Sequence, residues 1–100
     1  MSIHATRVVN VRHCEYDVFI GRPGKYGNPF IIGRDGTRDE VCDKNWDWLL
    51  GKIKAPDGRK PPTIEEIKRE LAGKRLGCFC PPQRCHGNNY VRIYRGNYDH

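Results

Sequence analysis

Hydrophobic patterning over 100 residues predicts a small α/β domain, a sandwich in which a short mixed sheet of about three strands is covered by about three helices. Three observations predict it: two short β-branched runs near the N-terminus, two capping boxes each followed by apolar residues at helical spacing, and a later apolar run that stops at a double proline. The length fits one domain, residues 1–100, with a single core.

Arg7-Val8-Val9-Asn10-Val11-Arg12 reads as a first strand and Tyr16-Asp17-Val18-Phe19-Ile20-Gly21 as a second, and the two are expected to pair. Gly21 to Gly36 then carries five glycines at multiples of three and two prolines, which predicts a long structured loop. Thr37-Arg38-Asp39-Glu40 is a capping box. It opens a helix whose apolar side carries Val41, Cys42, Trp46, Leu49, Leu50 and Ile53, with Trp48 off that stripe and partly exposed. Residues 54–62 form a polar, turn-rich connector at the surface. A second box at Thr63-Ile64-Glu65-Glu66 opens a shorter helix with Ile64, Ile67 and Leu71 inward and Gly73 as its stop. Arg75 to Cys80 reads as a buried strand, and residues from Gly87 or Asn88 to Tyr94 as a last helix, with a strand over Val91–Tyr94 as the alternative.

Eighteen Lys and Arg against twelve Asp and Glu give a net charge of +6, which favours polyanionic partners such as a nucleotide or nucleic acid, although a solubilising basic surface gives the same count. Met1 to Arg7 holds no apolar stretch suited to a secretory signal, and no segment approaches the ~20 apolar residues of a membrane span, so the expectation is a cytoplasmic protein with no membrane partner.

Chemistry concentrates in Gly77-Cys78-Phe79-Cys80-Pro81-Pro82-Gln83-Arg84-Cys85-His86-Gly87, where three cysteines and a histidine fall within nine residues. Cys78, Cys80, Cys85 and His86 are candidate ligands for zinc, which takes thiolates and imidazoles tetrahedrally. The Cys-x-Cys-x4-Cys spacing resembles the post-SET cysteine cluster, with His13, Cys14 or Cys42 as reserve ligands. A second reading makes Cys85 or Cys80 a low-pKa nucleophile with His86 as its base, at a strand-to-helix junction that lowers thiol pKa. A third leaves the cysteines as small buried hydrophobes.

The glycine-rich loop interleaves Arg22, Lys25 and Arg34 with residues able to expose backbone N–H groups, a recipe for cradling phosphate, and Arg12 joins them as a candidate anion ligand. No named nucleotide motif is met. Tyr26, placed in this polar loop, is the best candidate for stacking on a base. An enzyme built on this site would use Arg12, Arg22 and Arg34 for anion stabilisation and Asp35 or Glu40 for proton transfer, although Glu40 also serves the capping box.

Three segments together resemble the family of domains of unknown function 4326, found in phages and bacteria: Val8-Val9-Asn10-Val11-Arg12, the stretch from Ile20-Gly21-Arg22-Pro23 through Tyr26-Gly27-Asn28-Pro29-Phe30 to Thr37, and Leu76-Gly77-Cys78-Phe79-Cys80 with Cys85-His86-Gly87. The resemblance spans nearly the whole chain and implies a compact intracellular α/β domain. It also implies that the Asn28-Pro29-Phe30 loop and the Cys85-His86-Gly87 turn meet in one site, which adds Asn28 to the candidate ligand-binding residues. Where the family carries an acidic residue after Cys-His-Gly, this chain has Asn88. A similar strand-then-Cys-His ending occurs in domain of unknown function 488. Nucleotide or nucleic-acid binding beside a zinc site, an enzyme acting on a nucleotide or nucleobase, and a zinc-stapled module for a protein partner are the three functions the sequence allows.

Overall fold

The computed structural model describes residues 5–96 in the order β1 (Arg7–Asn10), β2 (Val18–Phe19), α1 (Arg38–Leu49), α2 (Ile64–Leu71), β3 (Arg75–Cys78) and α3 (Gly87–Tyr94). The expected strand and helix numbers are met. The first and last four residues, including part of the segment read for a secretory signal, lie outside this range.

The sheet runs β1-β3-β2 and both pairings are parallel, so β1 and β2 do not pair with each other and the sheet is not mixed. Geometry explains the difference. Parallel neighbours need a crossover of about a dozen residues or more, and segment 11–17 between β1 and β2 is too short for one. The last strand enters between them instead, after α1 and α2 have crossed over. Asp17 fixes the register of β2: its carboxylate accepts from the Arg75 backbone N–H at 2.8 Å and from two guanidinium nitrogens at 3.0 and 3.1 Å. All three strand predictions ran long, because regular pairing is confined to Arg7–Asn10, Val18–Phe19 and Arg75–Cys78.

Both capping boxes form: Thr37 accepts from the Glu40 N–H while Glu40 accepts from the Thr37 N–H, and Thr63 and Glu66 repeat the pattern. Glu40 is therefore engaged as a cap. Helix α1 ends at Leu49, so Ile53 lies beyond it and is exposed. Trp48 is buried, contrary to expectation. Its indole N–H donates to the Arg59 carbonyl at 3.2 Å, and the 54–62 connector folds over it with Ala55 and Pro62 buried. Ala72 closes α2 and Gly73 follows at φ +71°, the left-handed stop expected there.

Helix α3 packs on β1 and against α1 and α2, and its first residue stands close against Val8 of β1. A Cβ on Gly87 would stand 2.6 Å from Ile20 Cδ1 and 2.9 Å from Val8 Cγ2, so only glycine lets the helix begin there. Gly77 on β3 is constrained alike, with the Tyr16 ring and Val11 where its Cβ would be. Among the described residues no helix is long and apolar enough to cross a membrane.

Candidate functional site

Cys78 ends the central strand, and the chain turns through Phe79 to Arg84 before α3 starts. Asn10 at the end of β1 holds this turn: its amide donates to the Pro81 carbonyl at 2.7 Å, while its Oδ1 accepts from the Arg12 N–H at 2.8 Å. At the far end the Cys85 N–H donates to Asn88 Oδ1 at 2.9 Å, so Asn88 supplies a cap-like acceptor. The irregular backbone brings Cys85 Sγ within 2.9 Å of Cys78 Sγ and 3.5 Å of His86 Nδ1, although residues 85 and 86 are adjacent. All three side chains are buried, their ligand atoms lie within 4.8 Å of one another, and the group could hold a metal ion.

The far side of the imidazole fixes its tautomer. His86 Nε2 lies 2.9 Å from both the Ile20 and the Tyr26 carbonyl oxygens, which can only accept, so Nε2 carries the proton and Nδ1 presents a lone pair toward the sulfurs. Burial holds the His86 pKa below the ordinary histidine value, which keeps the ring neutral. The two close sulfurs share protons unequally. Hydrogen bonding from Cys85 pulls the Cys78 pKa down, and the same contact, with burial, pushes that of Cys85 up. Cys85 is thus the proton-holding, more deeply buried member of the pair. Cys80, half-buried, lies outside the three-residue cluster but near enough to help lower the Cys78 pKa.

Above the cluster opens a cleft of about 370 Å³. Its floor is Cys78, Cys80, Cys85 and His86, its walls include Phe19, Phe30, Ile31, Ile32 and Phe79, and its rim carries Arg22, Arg38 and Arg84. No carboxylate lines it among the described residues. Arg84 is already paired, with Asp39 at 3.1 Å and Asp43 at 2.7 Å. Among the described residues, Arg22 and Arg38 donate to single backbone carbonyls, of Asn28 at 3.3 Å and of Arg84 at 3.2 Å.

The structure thus gathers Arg22, Asn28, Cys78, Cys80, Cys85 and His86 around one cleft and leaves Arg12, Lys25, Tyr26 and Arg34 outside its lining. Lys25 turns to α2 and pairs with Glu66 at 2.7 Å and Glu70 at 3.3 Å. Tyr26 is buried rather than exposed for stacking: its ring meets Tyr90 edge-on at 5.5 Å, its hydroxyl donates to Glu70, and burial pushes its pKa up to about 12. Its carbonyl is what serves the site, as an anchor for His86. Arg34 pairs with Asp35 at 2.8 Å, and Asp35 also accepts from the Ile31 N–H at 2.7 Å, which ties the loop down from within. Arg12 lies over the Phe79 ring, 5.1 Å from its centroid. Of the reserve ligands, Cys42 lines the cleft from α1, while His13 and Cys14 are exposed beyond β1.

A buried polar chain positions the loop. Asn28 donates to the Val41 carbonyl at 3.2 Å and accepts from the Phe30 N–H at 3.0 Å and from Asn45 at 3.4 Å, while Asn89 donates to Asn45 at 2.9 Å and to the Cys42 carbonyl at 2.9 Å. Asn45 and Asn89 were not singled out from sequence. Asn45, polar within the apolar stripe of α1, was the available signal.

A sequence profile described as Domain of unknown function (DUF4326) matches residues 3–96. An uncharacterized 12.4 kDa protein from the nrdA-td intergenic region of Enterobacteria phage T4 is 34% identical over 88 residues, covering 87% of this chain and 75% of that protein. An uncharacterized protein of Acanthamoeba polyphaga mimivirus is 27% identical over 103 residues, covering 85% of this chain and 70% of its own. No solved structure matches. With the profile spanning almost the entire chain and the phage relative similar over most of its length, this protein belongs to the DUF4326 family of domains of unknown function.

Proposed function

We propose that the cleft is a nucleotide-binding site with a zinc centre at its floor. The observation that carries this reading is that one cleft is lined both by the buried Cys78, Cys85 and His86 cluster and by two arginines, Arg22 and Arg38, with no competing carboxylate among the described lining residues.

The donor set fits zinc. Two sulfurs and an imidazole are borderline-soft ligands of the kind this ion prefers. A metal-binding histidine usually gives its other N–H to a backbone carbonyl or a carboxylate, and His86 gives Nε2–H to two carbonyls while Nδ1 faces the sulfurs. Cys80 lines the same cleft as a third sulfur and a fourth candidate ligand. When bound, zinc would pin Cys78, Cys85 and His86 together at the base of the cleft, its charge balanced by the two thiolates. Arg22 and Arg38 would orient a phosphate through guanidinium N–H groups, and the apolar wall of Phe19, Phe30, Ile31, Ile32 and Phe79 would exclude water from a flat base. Because the described lining residues include no carboxylate and the histidine faces inward, these residues favour binding over acid–base turnover.

Thymidine monophosphate is a direct probe. It should bind the wild-type protein, and Arg22→Ala should weaken it roughly tenfold or more, the size of a lost charge-assisted contact. Equal affinity for the wild type and Arg22→Ala, measured by titration calorimetry, would remove the nucleotide from the cleft.

A further inference from the structure

Beside the cleft lies a row of exposed rings that folding alone does not require. Tyr16, Phe19 and Phe79 are 45%, 39% and 52% exposed, although large apolar side chains are normally buried. They form a continuous strip: Tyr16 and Phe19 have ring centroids 6.2 Å apart, Phe19 and Phe79 5.9 Å apart, and the Arg12 guanidinium covers Phe79 at 5.1 Å. Phe19 and Phe79 also line the cleft, so the strip leads into it, whereas Tyr16 and Arg12 stand outside. Gly77 lets Tyr16 lie against the central strand, and Asn10 fixes the backbone of Arg12.

Spaced aromatic faces with intervening cations, opening into an arginine-rimmed cleft on a protein of net charge +6, match the chemistry of an unpaired nucleic-acid strand. A single free nucleotide is too small to use Tyr16 and the cleft together. An acidic protein segment would find the cations but would gain nothing from the aromatic faces. We infer that the ligand of this protein is single-stranded nucleic acid, with one nucleotide in the cleft and its neighbours stacked along Phe79, Phe19 and Tyr16, their phosphates following Arg12, Arg22 and Arg38. This rests on the cleft being the nucleotide site and names the class of molecule that enters it.

The test compares thymidine monophosphate with a fluorescein-labelled oligothymidylate of about ten nucleotides, within the usual footprint of such sites. The oligonucleotide should bind at least roughly tenfold tighter than the monophosphate. Tyr16→Leu, which keeps apolar bulk against Gly77 but loses the ring face, should cost the oligonucleotide on the order of tenfold and leave the monophosphate unchanged, while Tyr16→Phe should retain affinity. Arg12→Gln should lower the slope of log affinity against log salt by about 0.7, and Arg22→Ala should weaken both ligands. If the oligonucleotide binds no tighter than the monophosphate, or Tyr16→Leu binds like wild type, the strip proposal fails and the cleft reading stands. If neither ligand binds the wild type, or Arg22→Ala changes neither, both fail. Displacement of the oligonucleotide by polyglutamate at equal charge concentration would make the surface a general anion site and overturn the assignment to nucleic acid.

Discussion

An imidazole whose Nε2–H is spent on two carbonyls has one chemical outlet left, the Nδ1 lone pair, and in His86 that outlet faces two sulfurs. The carbonyls come from Ile20 and Tyr26, so the loop's contribution to the floor is made by backbone rather than by the tyrosine ring. Asn28 acts similarly, through an internal network, and its removal should be expensive. Asn28→Ala would leave the Val41 carbonyl, the Phe30 N–H and an Asn45 amide proton without that partner. Each buried unsatisfied group costs about 1–3 kcal/mol, so a loss of roughly 2 kcal/mol or more is expected, read as a fall in Tm of about 8 °C or more. A Tm within a degree or two of wild type would show that the network is dispensable. At this scale the clustering of Cys78, Cys80, Cys85 and His86 was legible because those residues are close in sequence. The fates of Tyr26 and Lys25 were not, because Glu66 and Glu70, which claim them, stand on a helix forty or more positions away.

Among the elements, the helices were the most legible part. Each capping box closes through residues three apart, and the Thr37 and Thr63 pairs need no distant partner to form. The strands were harder, since Val18–Phe19 becomes a strand only because β3 lies beside it. Trp48 was misread for a related reason: helical periodicity assumes one covered face, and the 54–62 connector covers a second. The junction of β3 and α3 is the element on which the site depends, and a side chain at position 87 would crowd it. Gly87→Ala would drive a methyl into Ile20 and Val8, costing about 1–3 kcal/mol, and would displace the helix start beside Cys85 and His86. Chemical denaturation should show that loss together with weakened zinc affinity; unchanged stability and affinity would mean that α3 is not held against the sheet there.

For the whole molecule, topology decides which residues meet. Placing β3 between β1 and β2 sets the Cys78 end of the chain beside both Asn10 and Ile20, which is how the first and last thirds of the sequence come to share a cleft. A parallel arrangement could not be read from β1 and β2 alone, which as consecutive strands looked like a pair. Ion pairing also links distant segments, and its pH dependence follows from the carboxylates. Lys25 and the Thr63 cap hold Glu66 down from its ordinary 4.5 to about 2, and the Arg75 guanidinium holds Asp17 well below the usual range. Groups with depressed folded-state pKa values contribute stability that is complete above their unfolded values and is lost as pH falls through the folded ones. Tm should therefore fall as pH is lowered from 4.5 to about 2, and Lys25→Met should flatten that fall. Identical acid profiles for the two proteins would contradict the role given to the Lys25 pair.

Cobalt titration of the purified, metal-free protein, followed by thiolate-to-cobalt charge-transfer absorbance, tests the proposed metal centre directly. One equivalent should bind with that band in the wild type and be displaced by zinc, and Cys85→Ser and His86→Ala should each lose it while remaining folded by circular dichroism. A wild-type protein that binds no stoichiometric cobalt, or one whose band survives both substitutions, would contradict the account.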